Sequence, residues 1–496
     1  MNLSRATVWL LVLVCMLHGA LGASVGLSVD EAHYALYAAH LDWSYFDHPP
    51  LVGWVQWPLV ALNAPTWVLR LLPEVLWLAT ALLVHGLAEH LLRAAGNDAS
   101  PGRAGFWAVL VLALAPLLHV LGIGLLPDTL LMFWTVAVMH ATLCLLDAVT
   151  VQRPAPWLVL GVLLGLAGLS KYTAILPALA VAACLLHAHG LPMLRRPWPW
   201  LAVLLAVCLV LPVAYWNGTH HWISFTYQAQ HGAGGGWQAA HVLRFLLVQL
   251  LAYGPLLAWG WVGVRHAAPK QRSLLLFCLL PFAVLATMAG GGTSLPHWTA
   301  PAWVALAPLA GMGLARTARA GRWRAVVVLA VAQAATCVVV LGLMVTGGPP
   351  LLSGTSGQGN SAQPSNPFAD VHGWDEAGAT ARALAAQHGL RSVSVQNWTL
   401  ASRLGWYARP LPVHVLEDRF DQFSLWAGNL PVGGDSLLVD WSQLAYVPPL
   451  GANGFTDCTL LATQDARRLG HTLSTFRYYA CHGWSGQPQP RLLGAP

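Results

Sequence analysis

This sequence is short of charge. Of its 496 residues only 25 are Lys or Arg and 19 are Asp or Glu, 9% in all, where a soluble domain carries about 25%. With 56% hydrophobic residues, that shortage excludes an ordinary soluble protein, and the bulk of the chain must be solvated by lipid. Lysine is nearly missing: Lys171 and Lys270 are the two present, so the net charge of +6 rests on arginine. The basic residues sit in short loops between apolar runs, where membrane orientation requires them, so the positive balance is no sign of nucleic acid. Also absent are GxxxxGK[ST], CxxC and HExxH, which excludes a P-loop and the common zinc motifs. "GAGGGW" (232–237) has no strand before it and reads as a flexible loop, so no nucleotide cofactor is expected. No internal repeat is visible.

Long apolar runs are plentiful. A transmembrane helix needs about 20 mostly apolar residues, and the runs at 6–25, 67–92, 104–122, 128–147, 156–169, 172–189, 198–216, 241–264, 273–290, 299–315 and 324–346 give about eleven spans, the 156–189 pair being short. The first run, "ATVWLLVLVCMLHGALGASVGL", has a small-residue "ALGAS" that a signal peptidase would accept. A retained helix suits the polar stretch that follows it better. The loops alternate in charge: Arg5, Arg93 with Arg103, Arg153, Arg195 with Arg196, Arg265 to Arg272, and Arg316 to Arg324 form one set, and the other set is nearly free of Lys and Arg. The positive-inside rule then puts the N-terminus in the cytoplasm and the C-terminus outside. Residues 1–346 form a membrane domain with a first outer loop at 26–66. Residues 347–370 are a Gly/Ser/Pro linker, and 371–496 a small soluble α/β domain. In that domain "WDEAGATARALAAQHG" reads as a helix, and "RSVSVQ" and "SLLVDW" as strands. Six of the eight cysteines lie in apolar spans; Cys458 and Cys481 lie in the exported domain, where an oxidising compartment permits a disulfide.

The scarce charges are unevenly placed. "DEAHYALYAAHLDWSYFDHPPLVGW" (30–54) holds four carboxylates. Asp30 and Glu31 are candidates for a general base toward an incoming hydroxyl; the plainer reading is a helix cap with Asp30 at the N-cap position. Pro49-Pro50 forbids helix and presents Asp47 and His48 on a rigid turn, able to hold a divalent ion or contact a phosphate. Tyr45 anchors at headgroup level, and Asp42 reads as solvated. Lys171, between apolar runs, is a functional-site hypothesis by default, a point charge for phosphate set against a snorkelling lysine. Asp128 faces the same choice, with N-cap duty as its rival. Arg70 and Glu74, one turn apart, read as an i,i+4 pair. Arg244, His231 and His297 add phosphate- or metal-capable groups on the outer face. A substrate joining a lipid tail to a phosphate matches the set.

The opening stretch resembles the first outer loop of bacterial glycosyltransferase families 39 and 83, the protein O-mannosyltransferase-like and lipid A aminoarabinose transferase-like proteins of the GT-C superfamily. "PDTLLMFW", "GLSKYTAILP", "LPHWTAPAWVALAPLAG", "GWDEAGATARAL" and "NWTLASRLGWYARP" are similar to further segments of the group, in the same order. The resemblance implies a polytopic α-helical GT-C fold with a C-terminal α/β domain. It further implies transfer of a sugar from a polyprenyl-phosphate donor to a lipid A, glycan or protein acceptor outside the bacterial cytoplasmic membrane, with inversion. Asp30 falls on the base and Asp47 on the acidic residue before x-P-P-L, which in the aminoarabinose transferases is Glu-Lys and helps bind metal and phosphate. Here it is Asp47-His48, so the phosphate contact passes to His48 or Lys171, with Arg244 and His297 as further donor-phosphate ligands. Asp47 and His231 stand where a divalent metal would be held. Tyr172, Asp128 and Tyr45 are expected to be substrate-binding or structural. Two other classes compete: a polyprenyl-lipid transporter or flippase, which predicts inverted repeats and broken helices near the midplane, and a membrane-anchored carbohydrate-binding protein. Sugar, acceptor and oligomeric state are not legible.

Overall fold

The computed structural model describes residues 3–95, 103–348 and 366–491, without the side chains of 231–233; most of the expected linker lies outside them. Eight helices are long and apolar enough to cross a membrane, and two bent pairs bring this to ten. Each expected span finds a helix: 6–25 is Arg5–Ser24, 67–92 is Thr66–Ala94, and the short 156–169 run is the 17-residue Pro154–Ser170 helix. Prolines at the first helical position start several of them (Pro127, Pro154, Pro197), where the missing N–H costs nothing. The described chain divides into two compact units.

The first unit comprises Met1–Ala20, Asp42–Val55 and Trp67–Val339. Its central helix, Ala300–Arg319, is sheathed by its neighbours: 94% of its apolar window is buried. Small residues permit the contact. A Cβ on Gly311 would come within 2.4 Å of the Ala104 carbonyl oxygen.

Two expected spans are broken. Arg103–Ala113 and Pro116–Ile123 meet at 81°, and Ala239–Tyr253 and Pro255–His266 at 95°. Pro116 and Pro255 lack the N–H that would continue each helix, and Gly254 supplies the turn with φ 80°. In lipid the backbone groups freed by a break must find protein partners. One buried side chain serves both: Gln333 Nε2 donates to the Leu114 and Tyr253 carbonyls (3.2 and 3.4 Å), and its Oε1 accepts from Leu256 N (2.9 Å). Cys337 Sγ also reaches the Leu114 carbonyl.

His119 Nε2 lies 2.9 Å from the Ala113 carbonyl. A carbonyl only accepts, so this nitrogen donates, and in the neutral ring Nδ1 accepts from His18 Nε2 at 3.0 Å. His18 Nδ1 then meets Glu74 Oε2 at 2.6 Å. A polar strut inside the apolar bundle thus runs from Glu74, expected to serve Arg70, to His18 and the first helix break.

The second unit gathers Leu21–Leu41, Gln56–Thr66 and Val340–Pro496. Its mixed sheet has β1 (Val393–Val395), β2 (Val413–Val415), β3 (Ser436–Trp441), β4 (Asp457–Arg468) and β5 (His471–His482) in the order β2-β1-β3-β5-β4. β1 is parallel to β2 and β3, and β5 is antiparallel to β3 and β4. β1 and β3 are the two strands expected from their apolar runs, and every residue in them is buried. The β4–β5 hairpin was not expected. Its signal is the alternation of buried Phe476, Tyr478 and Ala480, and its turn uses Leu469 and Gly470, both at positive φ (48° and 83°). Cys458 and Cys481 face each other across it and form a disulfide. The Trp374–Gln387 helix matches its expectation. The Val29–Ala39 helix, from the first outer loop, belongs to this unit and packs on the Trp398–Tyr407 helix.

Two outcomes test this account. Gln333→Leu takes the Gln333 partner from the Leu256 amide and the Tyr253 carbonyl, at about 1–3 kcal/mol each, and leaves the Leu114 carbonyl to the Cys337 thiol. Heat unfolding in detergent should therefore shift down by several degrees or more, and an unshifted midpoint would remove Gln333 from this role. Asp421, N-cap of the Gln422–Trp426 helix, is raised to about 6 by burial, only partly offset by the Phe423 and Ser424 amides. Its folded pKa lies above the unfolded one, so its contribution is present below about pH 4 and lost as pH rises through about 6, of order 3 kcal/mol. Asp421→Asn, still a capping residue, should flatten the fall in unfolding midpoint between about pH 4 and 6.

Candidate functional site

Three expected residues come together in the first unit. Lys171 ends the Pro154–Ser170 helix in an extended conformation (φ −158°, ψ 143°). Asp128 stands in the first turn of the Pro127–Leu145 helix. His297 lies on the short turn Pro296–Thr299. Lys171 Nζ donates to both Asp128 oxygens, at 2.7 and 2.6 Å; the two residues are 5% and 2% exposed. His297 Nε2 is 3.8 Å from Asp128 Oδ2, and the ammonium sits 5.4 Å from the Trp298 ring centre. Tyr253 holds the turn by donating to the Pro296 carbonyl at 2.9 Å. Lys171 is therefore no snorkelling lysine, and Asp128 is not the N-cap of its helix, a position that Leu126 holds. The ammonium has three N–H donors. Two go to Asp128, leaving one for an oxyanion.

Tyr45, Asp47 and His48 lie together on the Pro-Pro loop. Their main chain is pinned to the Ile223–Ala233 helix: Ser224 Oγ donates to the Tyr45 carbonyl (2.9 Å) and Gln228 Nε2 to that of Asp47 (2.6 Å). Tyr45 is fully buried, so it packs inside the unit and is no headgroup anchor. Asp42, expected to be merely solvated, is a junction: Trp216 Nε1 donates to its carboxylate (2.8 Å) and Trp54 Nε1 to its carbonyl (2.9 Å). Trp216 is an indole that nothing in the sequence marked. Tyr172 follows Lys171 and packs on Phe225 (5.2 Å between rings). Arg244 is exposed on the Ala239–Tyr253 helix. The side chain of His231 lies outside the described residues. Among the described residues no three His, Cys, Asp or Glu side chains converge as a metal site would require.

Asp30 and Glu31 belong to the second unit. Ser28, not Asp30, is the N-cap of the Val29–Ala39 helix. Its Oγ accepts from Glu31 N (3.3 Å) and its N–H donates to Glu31 Oε2 (3.0 Å), a capping box. Glu31 is thus engaged in the cap. Asp30 also interacts with a cation the sequence did not single out. Arg403, on the Trp398–Tyr407 helix, is 2% exposed. Burial pulls its guanidinium down to about 9, while the charge of Asp30 pulls the other way.

A family model described as dolichyl-phosphate-mannose-protein mannosyltransferase matches residues 47–216, a span that holds Asp47, Asp128 and Lys171 but not Asp30. The lipid A galacturonosyltransferase RgtD of Rhizobium johnstonii is 26% identical over 290 residues, 56% of this chain and 58% of that protein; the match thus spans little more than half the length of this relative. The crystal structure of ArnT from Cupriavidus metallidurans in the apo state superposes with a TM-score of 0.60 at 16% identity, covering 98% of this chain and 100% of that one. The fold is that of this ArnT structure. The same ArnT bound to undecaprenyl phosphate gives a TM-score of 0.58 at 16% identity over 95% of this chain and 97% of that one. The resemblance read from the opening loop is thereby supported, and the chain is a multi-pass membrane protein.

A buried pair predicts its own mutational signature. Lys171→Ala strands the Asp128 carboxylate and should cost about 3–5 kcal/mol, whereas Lys171→Met with Asp128→Leu should recover most of that stability. Thermal unfolding of the purified variants checks this, and a double variant as unstable as the single one would count against the pairing.

Proposed function

We propose that this chain is an inverting glycosyltransferase that moves a sugar from a polyprenyl-phosphate donor to a lipid A, glycan or protein acceptor on the outer face of the bacterial cytoplasmic membrane. The buried Lys171–Asp128 pair beside His297 carries this reading. A lysine with one N–H to spare, fixed by a carboxylate within an apolar bundle, suits a phosphate that arrives on a lipid. The alternation of arginine between loops supports an outward C-terminus, and the Cys458–Cys481 disulfide supports an oxidising compartment for it.

The chemistry asks little of acid catalysis. The acceptor oxygen attacks the anomeric carbon as its bond to the phosphate oxygen breaks, and the polyprenyl phosphate leaves with the electron pair. Positive charge from Lys171, with His297, stabilises the charge that builds on the phosphate. Asp30, which the resemblance assigns as base, takes the proton from an acceptor hydroxyl. An acceptor phosphate would need no such help.

The transporter reading draws support from the two broken spans. Their freed backbone groups are taken by Gln333 and His119, however, so these breaks are not open ion sites of the transporter kind.

The test is mass spectrometry of lipid A and envelope glycans from cells lacking the gene, complemented with wild type or Asp30→Asn. Wild type should restore one sugar on one class of molecule. Asp30→Asn should lower transfer about 10²–10⁴-fold while the purified variant still binds undecaprenyl phosphate. Wild-type levels of product with Asp30→Asn would sink the base assignment, and no sugar difference between cells with and without the gene would sink the transferase reading.

A further inference from the structure

Arg403 lies in "NWTLASRLGWYARP", a stretch to which the function above gives no role. Its guanidinium is nearly without solvent, and a buried cation costs several kcal/mol unless it is paired and hydrogen-bonded. One face packs against indoles, with Trp374 and Trp441 centred 4.6 and 5.1 Å away. Nη1 donates to the Thr399 carbonyl at 3.4 Å, and Nη2 pairs with Asp370. Nε has no hydrogen-bond partner among the described residues. Asp370 is 28% exposed, so part of its field is spent on water. The second carboxylate acting on Arg403 is Asp30.

The packing explains why. Asp30 and His33 stand one turn apart on the Val29–Ala39 helix, and Leu27 immediately precedes its N-cap, Ser28. Leu27 N donates to Tyr407 Oη at 2.8 Å, and His33 Nδ1 lies 3.0 Å from Ser402 Oγ. The residue between them, Asp30, is therefore held against the middle of the Trp398–Tyr407 helix, where Arg403 stands. Gly26 N donates to the Val371 carbonyl (2.8 Å), which ties the same segment next to Asp370.

We propose that Arg403 is a positioning residue for Asp30, shared with Asp370, which keeps the Asp30 carboxylate ionised and fixed in direction. The C-terminal domain then serves the reaction by supplying the cation that poises a carboxylate from the first loop. The inference rests on the reading of Asp30 as base for its catalytic meaning, although the electrostatic coupling is measurable without it. The charged and titratable groups around this contact are Arg403, on which Asp30 and Tyr407 both act, Asp370, which pairs with Arg403, and Glu31 and His33 of the Asp30 helix, with Asp421 coupled to His33.

The experiment is a pH titration of the full-length protein in detergent by difference infrared spectroscopy, with Asp30→Asn as the reference that isolates the Asp30 band. Removing the cation disfavours the carboxylate, so Arg403→Gln should move the Asp30 midpoint up by about one pH unit or more. Arg403→Lys keeps the charge and should move it less. Asp370→Asn removes the competing anion and should move the midpoint down, and this variant keeps the proposal testable if Arg403→Gln does not fold. Unshifted midpoints in the folded variants would overturn the coupling. Undiminished transfer by Asp30→Asn would remove the base reading alone, and the infrared midpoints tell the two failures apart.

Discussion

Lipid offers no hydrogen bonds, and the membrane part of this protein is organised around that constraint. A continuous apolar helix meets it alone. Two of the spans here are interrupted by Pro116 and by Gly254-Pro255, and each interruption releases carbonyls and amides with nowhere to go. Gln333 answers both with a single amide group, accepting from Leu256 and donating to Leu114 and Tyr253. His119, backed by His18 and Glu74, takes the carbonyl of Ala113. An amide whose two ends differ in hydrogen-bond sense suits such a place, because it satisfies donors and acceptors at once.

The same economy governs charge. Few ionisable groups lie inside, and several of them are matched in pairs. Lys171 is held by both oxygens of Asp128, and Asp440 in the sheet by Arg477. Arg403 is shared between carboxylates and cushioned by indoles. Burial raises the cost of an unpaired charge and also the reach of a paired one, so the groups that are dearest to bury carry chemistry most readily. The Lys171 pair lies in one compact unit and the Arg403 pair in the other.

Much of this was legible beforehand. The eleven apolar runs each became a helix or a bent pair, since length and apolarity alone decide what lipid accepts. Lys171 and Asp128 were marked individually by their rarity in apolar surroundings. Their bond was not: forty-three residues separate them, and nothing local says which of several outer-loop charges a lysine will meet. Glu31 and Asp30 looked equivalent as a pair of letters, and only the position of Ser28 three residues before Glu31 marks Glu31 as the capping member. That capping box is written in "SVDE". The β4–β5 hairpin also left a trace, the alternation through "TFRYYA", but Thr, Arg and Tyr on its other face masked the period.

By itself the sequence determined that this chain spans a membrane repeatedly, that a small α/β domain follows, and that its few carboxylates and its interior lysine are the groups to watch. Those follow from composition and from patterns a few residues long, where the physics is local. Tertiary structure alone decided that Gln333 closes two helix breaks, that Lys171 belongs to Asp128, and that the helix bearing Asp30 packs against Arg403 of the C-terminal domain. Each of these is a match between a buried polar group and a partner dozens or hundreds of residues away. Such matches are set by which surfaces the whole fold removes from solvent, and no local stretch of sequence contains that information.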